Sequence, residues 1–224
     1  INVNVLNRET LMKAYEDPEA FPNLTMDSNV EGDWSQAAFW TVGGSLGETV
    51  ICSGVDYTSL QGDKAVVPIM EGMAANIKVQ DNDVVTDGGN TKATVIDAAN
   101  CPDIIPVLTV LATVSEGTTE IINAGRLRIK ECDRLAAITQ ELNKLGADIT
   151  ELPEGLIIKG KPQGLQGGAE VDAWNDHRIA MSLAIAAQKC TEPFTLTGAS
   201  SVQKSYPEFW QDYKLVGGKI EVLA

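Results

Sequence analysis

Arg126-Leu127-Arg128-Ile129-Lys130-Glu131-Cys132-Asp133-Arg134-Leu135 is a polar stretch placed to leave a strand and enter a helix. Four of its ten residues are basic, in a chain whose net charge is −14. Residues three and four apart share one helix face, so Lys130, Glu131 and Arg134 are expected to gather within about one turn. Two cations and a carboxylate at a helix start can hold an anion and keep a proton donor beside it. Such a charge run also reads as a solvated helix start. The rest of the chain has to decide between the two.

The stretch has two counterparts, Gln61-Gly62-Asp63-Lys64 and Gln203-Lys204-Ser205-Tyr206-Pro207. Upstream of each lies an acidic, turn-like opening: Glu31-Gly32-Asp33, Cys101-Pro102-Asp103, and Asn175-Asp176-His177-Arg178. Every opening precedes a nearly uniform apolar run, at 37–46, 104–114 and 179–187. An Asp before a helix caps its free N–H groups, and a helix apolar on all sides belongs in a core. Strands follow at 48–55, 118–124 and 194–198, then the polar loops, then second helices at 64–75, 133–145 and 207–216. Ile77, Ile149 and Ile220 close those helices at spacings of 72 and 71 residues, while Asp33, Asp103 and Asp176 stand 70 and 73 apart. Two independent landmarks with one period define a repeat of about 70 residues. Edge-like strands are expected at 77–80 with 84–86 and at 148–151 with 156–159, turning at Asn82 and at Pro153-Glu154-Gly155. Each unit therefore reads helix, strand, helix, strand, strand. Three units about a pseudo-threefold axis bury the apolar helices in the middle and bring several helix starts to one rim. Residues 1–29 stand apart, with a strand expected at 1–5 and a short helix at 8–16 that Pro18 ends. A chain that opens in mid-strand without Met reads as a piece of something longer.

Composition narrows the function. With 224 residues and 44% hydrophobic residues, the chain can bury a sizeable core. Its acidity argues against nucleic acid and anionic membranes as partners, although a local basic cluster can still bind a small anion. The longest apolar run is too short to span a bilayer. Cys52, Cys101, Cys132 and Cys190 form no C-x-x-C pair, and the one histidine is His177, so a zinc site is not expected. Free thiols and the lack of a signal peptide suit the cytoplasm.

The ordered motifs resemble those of the C-terminal domain of 5-enolpyruvylshikimate-3-phosphate (EPSP) synthase. They run from Glu31-Gly32-Asp33 with Ser35-Gln36, through Gln61-Gly62-Asp63, Pro102-Asp103 and Lys130-Glu131-Cys132-Asp133-Arg134, to Asn175-Asp176-His177-Arg178 and Lys204-Ser205-Tyr206-Pro207. The resemblance covers about residues 30–216. It implies an α/β fold, an inside-out α/β barrel of three βαβαββ repeat units, with residues 30–224 as one half of a two-domain enzyme and 1–29 as a poorly matched leader or interdomain segment. It also implies the activity: enolpyruvyl transfer from phosphoenolpyruvate to the 5-hydroxyl of shikimate 3-phosphate, releasing phosphate, with no metal or organic cofactor. The N-terminal half of the same enzyme is the implied partner, and the isolated half is expected to be inactive. By motif, Asp103 accepts the hydroxyl proton and Glu131 exchanges the proton at the methylene carbon. Lys130 contacts shikimate 3-phosphate; Arg134, Arg178 and Lys204 bind phosphoenolpyruvate's charged groups, and His177 hydrogen-bonds within that network. Arg126 departs from the pattern, since some members of the family carry a polar amide there, and its role stays open. A UDP-N-acetylglucosamine enolpyruvyl transferase and a non-catalytic anion-binding or docking domain are the alternatives.

Beside these roles stand plainer ones. Asp33 and Asp176 read as helix caps, and Asp63-Lys64 as a solvated helix start. Trp34, Phe39 and Trp40 read as packing. Cys132 has no His nearby in sequence to act as its base, which argues against a covalent role.

Overall fold

Three apolar helices meet at the centre of the body formed by the described residues. The computed structural model describes residues 31–223, in a body that begins at Glu31. The strand and helix expected within residues 1–29 lie outside the described residues. Helix α1 (Trp34–Leu46), α3 (Ile105–Thr113) and α5 (His177–Ala186) pack on one another. All nine residues of α3 are buried, as are all ten of α5. Full burial of one large aliphatic side chain contributes about 1.5–3 kcal/mol, so each of these helices adds substantially to stability.

Around the trio lie the strands and the second helices. The first unit continues with β1 (Val50–Ser53), α2 (Val66–Gly72), β2 (Asn76–Gln80) and β3 (Asp83–Asp87), forming an antiparallel sheet in the order β1-β3-β2. Helix α1 lies close against this sheet because Gly44 has no side chain; a Cβ there would meet Thr86 Oγ1 at 2.2 Å. The second unit adds β4 (Val95–Asp97), β5 (Thr118–Ile122), α4 (Arg134–Lys144), β6 (Ile149–Leu152) and β7 (Gly155–Lys159). Its sheet runs β4-β5-β7-β6, with β4 parallel to β5 and the rest antiparallel. The third unit holds β8 (Leu165–Gly167), β9 (Glu170–Asp172), β10 (Cys190–Glu192), β11 (Thr195–Thr197) and α6 (Phe209–Leu215). Here the strands form two parallel pairs, β10 with β8 and β11 with β9.

In the first two units the expected order of helices and strands is present, and the three apolar helices lie inside the strands and second helices, as the inside-out arrangement implies. Among the described residues the strands stay in four separate sheets and close no barrel. Among the described residues the third unit also lacks the closing pair of strands: beyond α6, residues 219–223 form no strand. Trp34 and Phe39 are fully buried. Trp40 is partly buried and stacks on Phe209 at 5.3 Å between ring centres, joining α1 to α6.

Candidate active site

The first turns of the three central helices are tied together by side chains. Asp33 caps α1, accepting from the Ser35 N–H at 2.8 Å, and Asp176 caps α5, accepting from the Arg178 N–H at 2.8 Å. Both bonds satisfy free donors at the positive helix end. Asp103 does something else. A 3₁₀ turn, Pro102–Ile104, carries it ahead of α3, and no side chain caps that helix. Its carboxylate faces three cations instead: Arg134 at 2.7 Å, Lys130 at 3.1 Å and Arg178 at 3.5 Å. Burial works to raise its pKa, but Arg178, Lys130 and Arg134 outweigh burial and hold Asp103 below the usual carboxylate value.

Arg134 is the hub. Its side chain, only 1% exposed, reaches three carboxylates. Nε donates to Asp176 at 2.7 Å, Nη1 to Asp103 at 2.7 Å, and Nη2 to Glu131 at 2.5 Å and to Asp176 at 3.3 Å. A guanidinium presents five donors in a fixed planar fork, and among the described residues these contacts leave one of them, on Nη1, uncommitted. Burial opposes its charge, but Asp176, Glu131 and Asp103 outweigh that and hold the pKa above the ordinary arginine value.

Lys130 and Glu131 do not begin the helix, as the spacing had implied. A 3₁₀ turn occupies Gly125–Ile129, and α4 starts only at Arg134, because Asp133 caps it by accepting from the Ala136 N–H at 3.1 Å. The loop between them folds back so that Glu131 still meets Arg134. Arg178 donates to Ser35 Oγ at 3.1 Å through Nη2, while its buried Nη1 has no hydrogen-bond partner among the described residues. His177 is buried, its Nδ1 is likewise unpartnered, and it lies 3.9 Å from Asp176. Burial and the Arg178 charge hold its pKa below the ordinary imidazole value, so the ring is neutral at pH 7. Lys204 ends the 3₁₀ turn Ala199–Lys204 and donates to the carbonyl of Asn175. It therefore borders the 175–178 segment without joining the ion-pair cluster. Among the described residues Arg126 donates to the Ala99 carbonyl, at 3.3 Å, and joins no ion pair.

Asp63 corrects the expectation of a solvated helix start. Its 3₁₀ turn, Gly62–Ala65, packs against Pro102–Ile104. That approach requires a glycine, since a Cβ on Gly62 would meet the Asn100 carbonyl oxygen at 2.3 Å. Lys64 turns away to the carbonyls of Ser59 and Tyr57. Half-buried Asp63 is left in the field of the site, where burial and the Asp103 charge push its pKa up to about 6. Cys132 is no nucleophile: burial and the neighbouring Asp176 push its thiol up to about 12.

The site thus gathers Asp103, Lys130, Glu131, Arg134 and Arg178 directly and sets His177 and Lys204 beside them. Sequence reasoning missed the second role of Asp176, the hydroxyl of Ser35 and the position of Asp63. The repeat period held the signal, because it aligns Asp33, Asp103 and Asp176 at one rim. Two consecutive residues ahead of Asp176, Trp174 and Asn175, have left-handed backbones, each with φ of 52°. Such conformations cost about 1–3 kcal/mol each for residues other than glycine and persist where surrounding contacts hold them.

A family model described as EPSP synthase (3-phosphoshikimate 1-carboxyvinyltransferase) matches residues 1–213. The 3-phosphoshikimate 1-carboxyvinyltransferase of Clostridium kluyveri is 53% identical over 196 residues, which cover 88% of this chain and 46% of that protein. Its counterpart in Clostridium novyi is 56% identical over 199 residues, covering 89% of this chain and 45% of that protein. The chain therefore spans a little under half the length of these curated relatives. Among solved structures, EPSP synthase from Acinetobacter baumannii superposes with a TM-score of 0.79 at 30% identity, covering 87% of this chain and 48% of that one. The enolpyruvyl transferase NikO from Streptomyces tendae shares the fold, with a TM-score of 0.70 at 20% identity over 87% of this chain and 45% of that one.

Proposed function

Because the chain belongs to the EPSP synthase family, we propose that it forms one wall of an active site that joins phosphoenolpyruvate to the 5-hydroxyl of shikimate 3-phosphate and releases phosphate. The observation that carries this reading is the Asp103 carboxylate held by Lys130, Arg134 and Arg178 with Glu131 on the far side of Arg134. Such a reaction needs one proton delivered and others removed at separate atoms, with cations around the carboxylate and phosphate groups. Asp103 takes the hydroxyl proton as oxygen attacks the central carbon of phosphoenolpyruvate. Glu131 delivers a proton to the methylene carbon, then takes one back as the carbon–phosphate oxygen bond breaks. Its carboxylate is 39% exposed, open enough to reach a ligand. Lys130 holds shikimate 3-phosphate, Arg178 and Lys204 hold phosphoenolpyruvate, and His177 hydrogen-bonds within that set. Arg134 serves phosphoenolpyruvate through its uncommitted donor while it aligns the three carboxylates.

The ion pairs also supply a trigger. While Lys130 and Arg178 lie against Asp103, its basicity is suppressed. An anionic substrate that draws those cations away raises the proton affinity of Asp103 at the moment a base is needed. The reading invokes no cofactor. The N-terminal half of the same enzyme supplies the facing wall, which fits a chain spanning under half of its relatives. We place the enzyme in the cytoplasm, a reading supported by four free cysteines among the described residues. No described helix is long and apolar enough to cross a membrane.

The test uses the enzyme completed by its other half, with phosphoenolpyruvate and either shikimate 3-phosphate or UDP-N-acetylglucosamine. Phosphate release with the first acceptor only is expected. Release with the second only, or anion binding with no release at all, overturns the proposal.

A further inference from the structure

Seven residues beyond Arg134, on the same face of α4, lies a second buried charge, Glu141. It is 1% exposed and fully engaged. One carboxylate oxygen accepts from Trp174 Nε1 at 2.8 Å. The other accepts from the backbone N–H of Asp172 at 3.0 Å and from Lys144 Nζ at 2.7 Å. Helix α4 therefore grips the segment 172–178 at two points. Arg134 binds Asp176 at one end, and Glu141 binds Asp172 and Trp174 at the other. Between the two grips lie Trp174 and Asn175 in their left-handed conformations. The gripped segment carries the anion-binding end of the site. The Asn175 carbonyl receives Lys204, His177 opens α5, and Arg178 reaches Asp103 and Ser35.

We infer that Glu141 is a positioning residue, which fixes the turn at Trp174-Asn175 and through it the aim of His177, Arg178 and Lys204. It touches none of the other site residues itself. A carboxylate fits this task because it offers acceptors on both oxygens, so one side chain can hold an indole N–H and a backbone N–H at once. Lys144 balances its charge from the solvent side. The importance of that aim rests on the function proposed above; the gripping of the segment does not.

His177, the single histidine of the chain, makes a direct test possible. It faces Arg178, Asp176, Glu131 and Arg134, and burial and Arg178 lower its pKa. The ring is followed by NMR against pH in the wild type, in Glu141→Gln and in Trp174→Phe. An amide can hold only one of the two N–H donors and turns its own N–H toward the other. Phenylalanine keeps the ring packing and removes the indole donor. In both variants the His177 midpoint is expected to rise toward the free value of about 6.5, more in Glu141→Gln. A merely structural role lowers the melting temperature and leaves the titration of the folded protein unchanged. That result in folded variants overturns the inference, and Trp174→Phe decides alone if Glu141→Gln does not fold. Sulfate, which does not titrate in this range, is the second probe. Its affinity is expected to fall about tenfold or more in Glu141→Gln, and hardly further when the substitution is added to Arg178→Ala with Lys204→Ala. Full additivity there overturns the route through those two cations. Failure of the wild type to bind sulfate, with His177 still responding, sinks the proposed function and leaves the positioning role standing.

Discussion

Asp103→Asn separates two jobs that a carboxylate can do at a helix start. Asp103 caps nothing, so an amide there removes no N-terminal hydrogen bond, and Arg134 keeps an oxygen acceptor. The completed enzyme is expected to melt cooperatively and to lose about 10²–10⁴ in turnover, the usual worth of a general base. Near-normal turnover, measured by phosphate release, reduces Asp103 to an electrostatic partner. Asp63 gives a pH signature of the opposite sense. Its pKa is raised to about 6, so the folded state holds a proton that the unfolded chain releases near pH 4. Stability from this group therefore falls as pH rises between those values, and the penalty is fully present above pH 6. Asp63→Asn should raise the melting temperature at pH 7 and leave it unchanged near pH 4. Equal shifts at both values would mean that Asp63 is already solvated. Asp103, Lys130, Glu131 and Arg178 were singled out by motifs that resemble those of the EPSP synthase family, and the fold brings them together. Their pairing was not legible, since the Arg134–Asp176 contact joins residues 42 apart in sequence.

At the scale of elements, α4 depends on a buried charge. Arg134 and Asp176 are about 1% and 0% exposed, so removing the arginine leaves a desolvated carboxylate with no counter-charge. Arg134→Ala is expected to cost about 3–5 kcal/mol in a denaturant melt, whereas replacing both partners by leucine should recover much of that loss. A loss below about 1 kcal/mol, the level of a surface pair, would show that water reaches the pair. The central helices were readable from their uniform apolar runs, and the second helices from their matched endings. The strands β4, β8, β9 and β10 were not foreseen. Each has three residues, too few for alternation to register; β11, equally short, was foreseen from its place in the repeat. The start of α4, expected at Asp133, falls at Arg134 with Asp133 as its cap, while Lys130 and Glu131, expected within about one turn of Arg134, lie in the loop ahead of it. Only the Asp133 side-chain bond to Ala136 settles the boundary.

At the largest scale, residues 31–223 form three similar units whose central helices bring three aspartates to one rim, and the units are used unequally. Asp33 and Asp176 cap their helices, while Asp103 faces the cations. The period of about 70 residues made that convergence readable, but not the inequality, which depends on the 3₁₀ turn ahead of α3. In the proposed function these cations and carboxylates form one wall of the site, and the other half of the enzyme supplies the facing one. Without a facing wall, water screens their charges and the substrates are not held in a reactive geometry, a loss of about 7–11 kcal/mol of barrier reduction. The most direct measurement is phosphate release from phosphoenolpyruvate and shikimate 3-phosphate by residues 1–224, alone and with the remaining half of the enzyme added in trans. No release by the chain alone and restored release with its partner half is the expected result. Substantial turnover by the chain alone, or none after the partner half is bound, would contradict it.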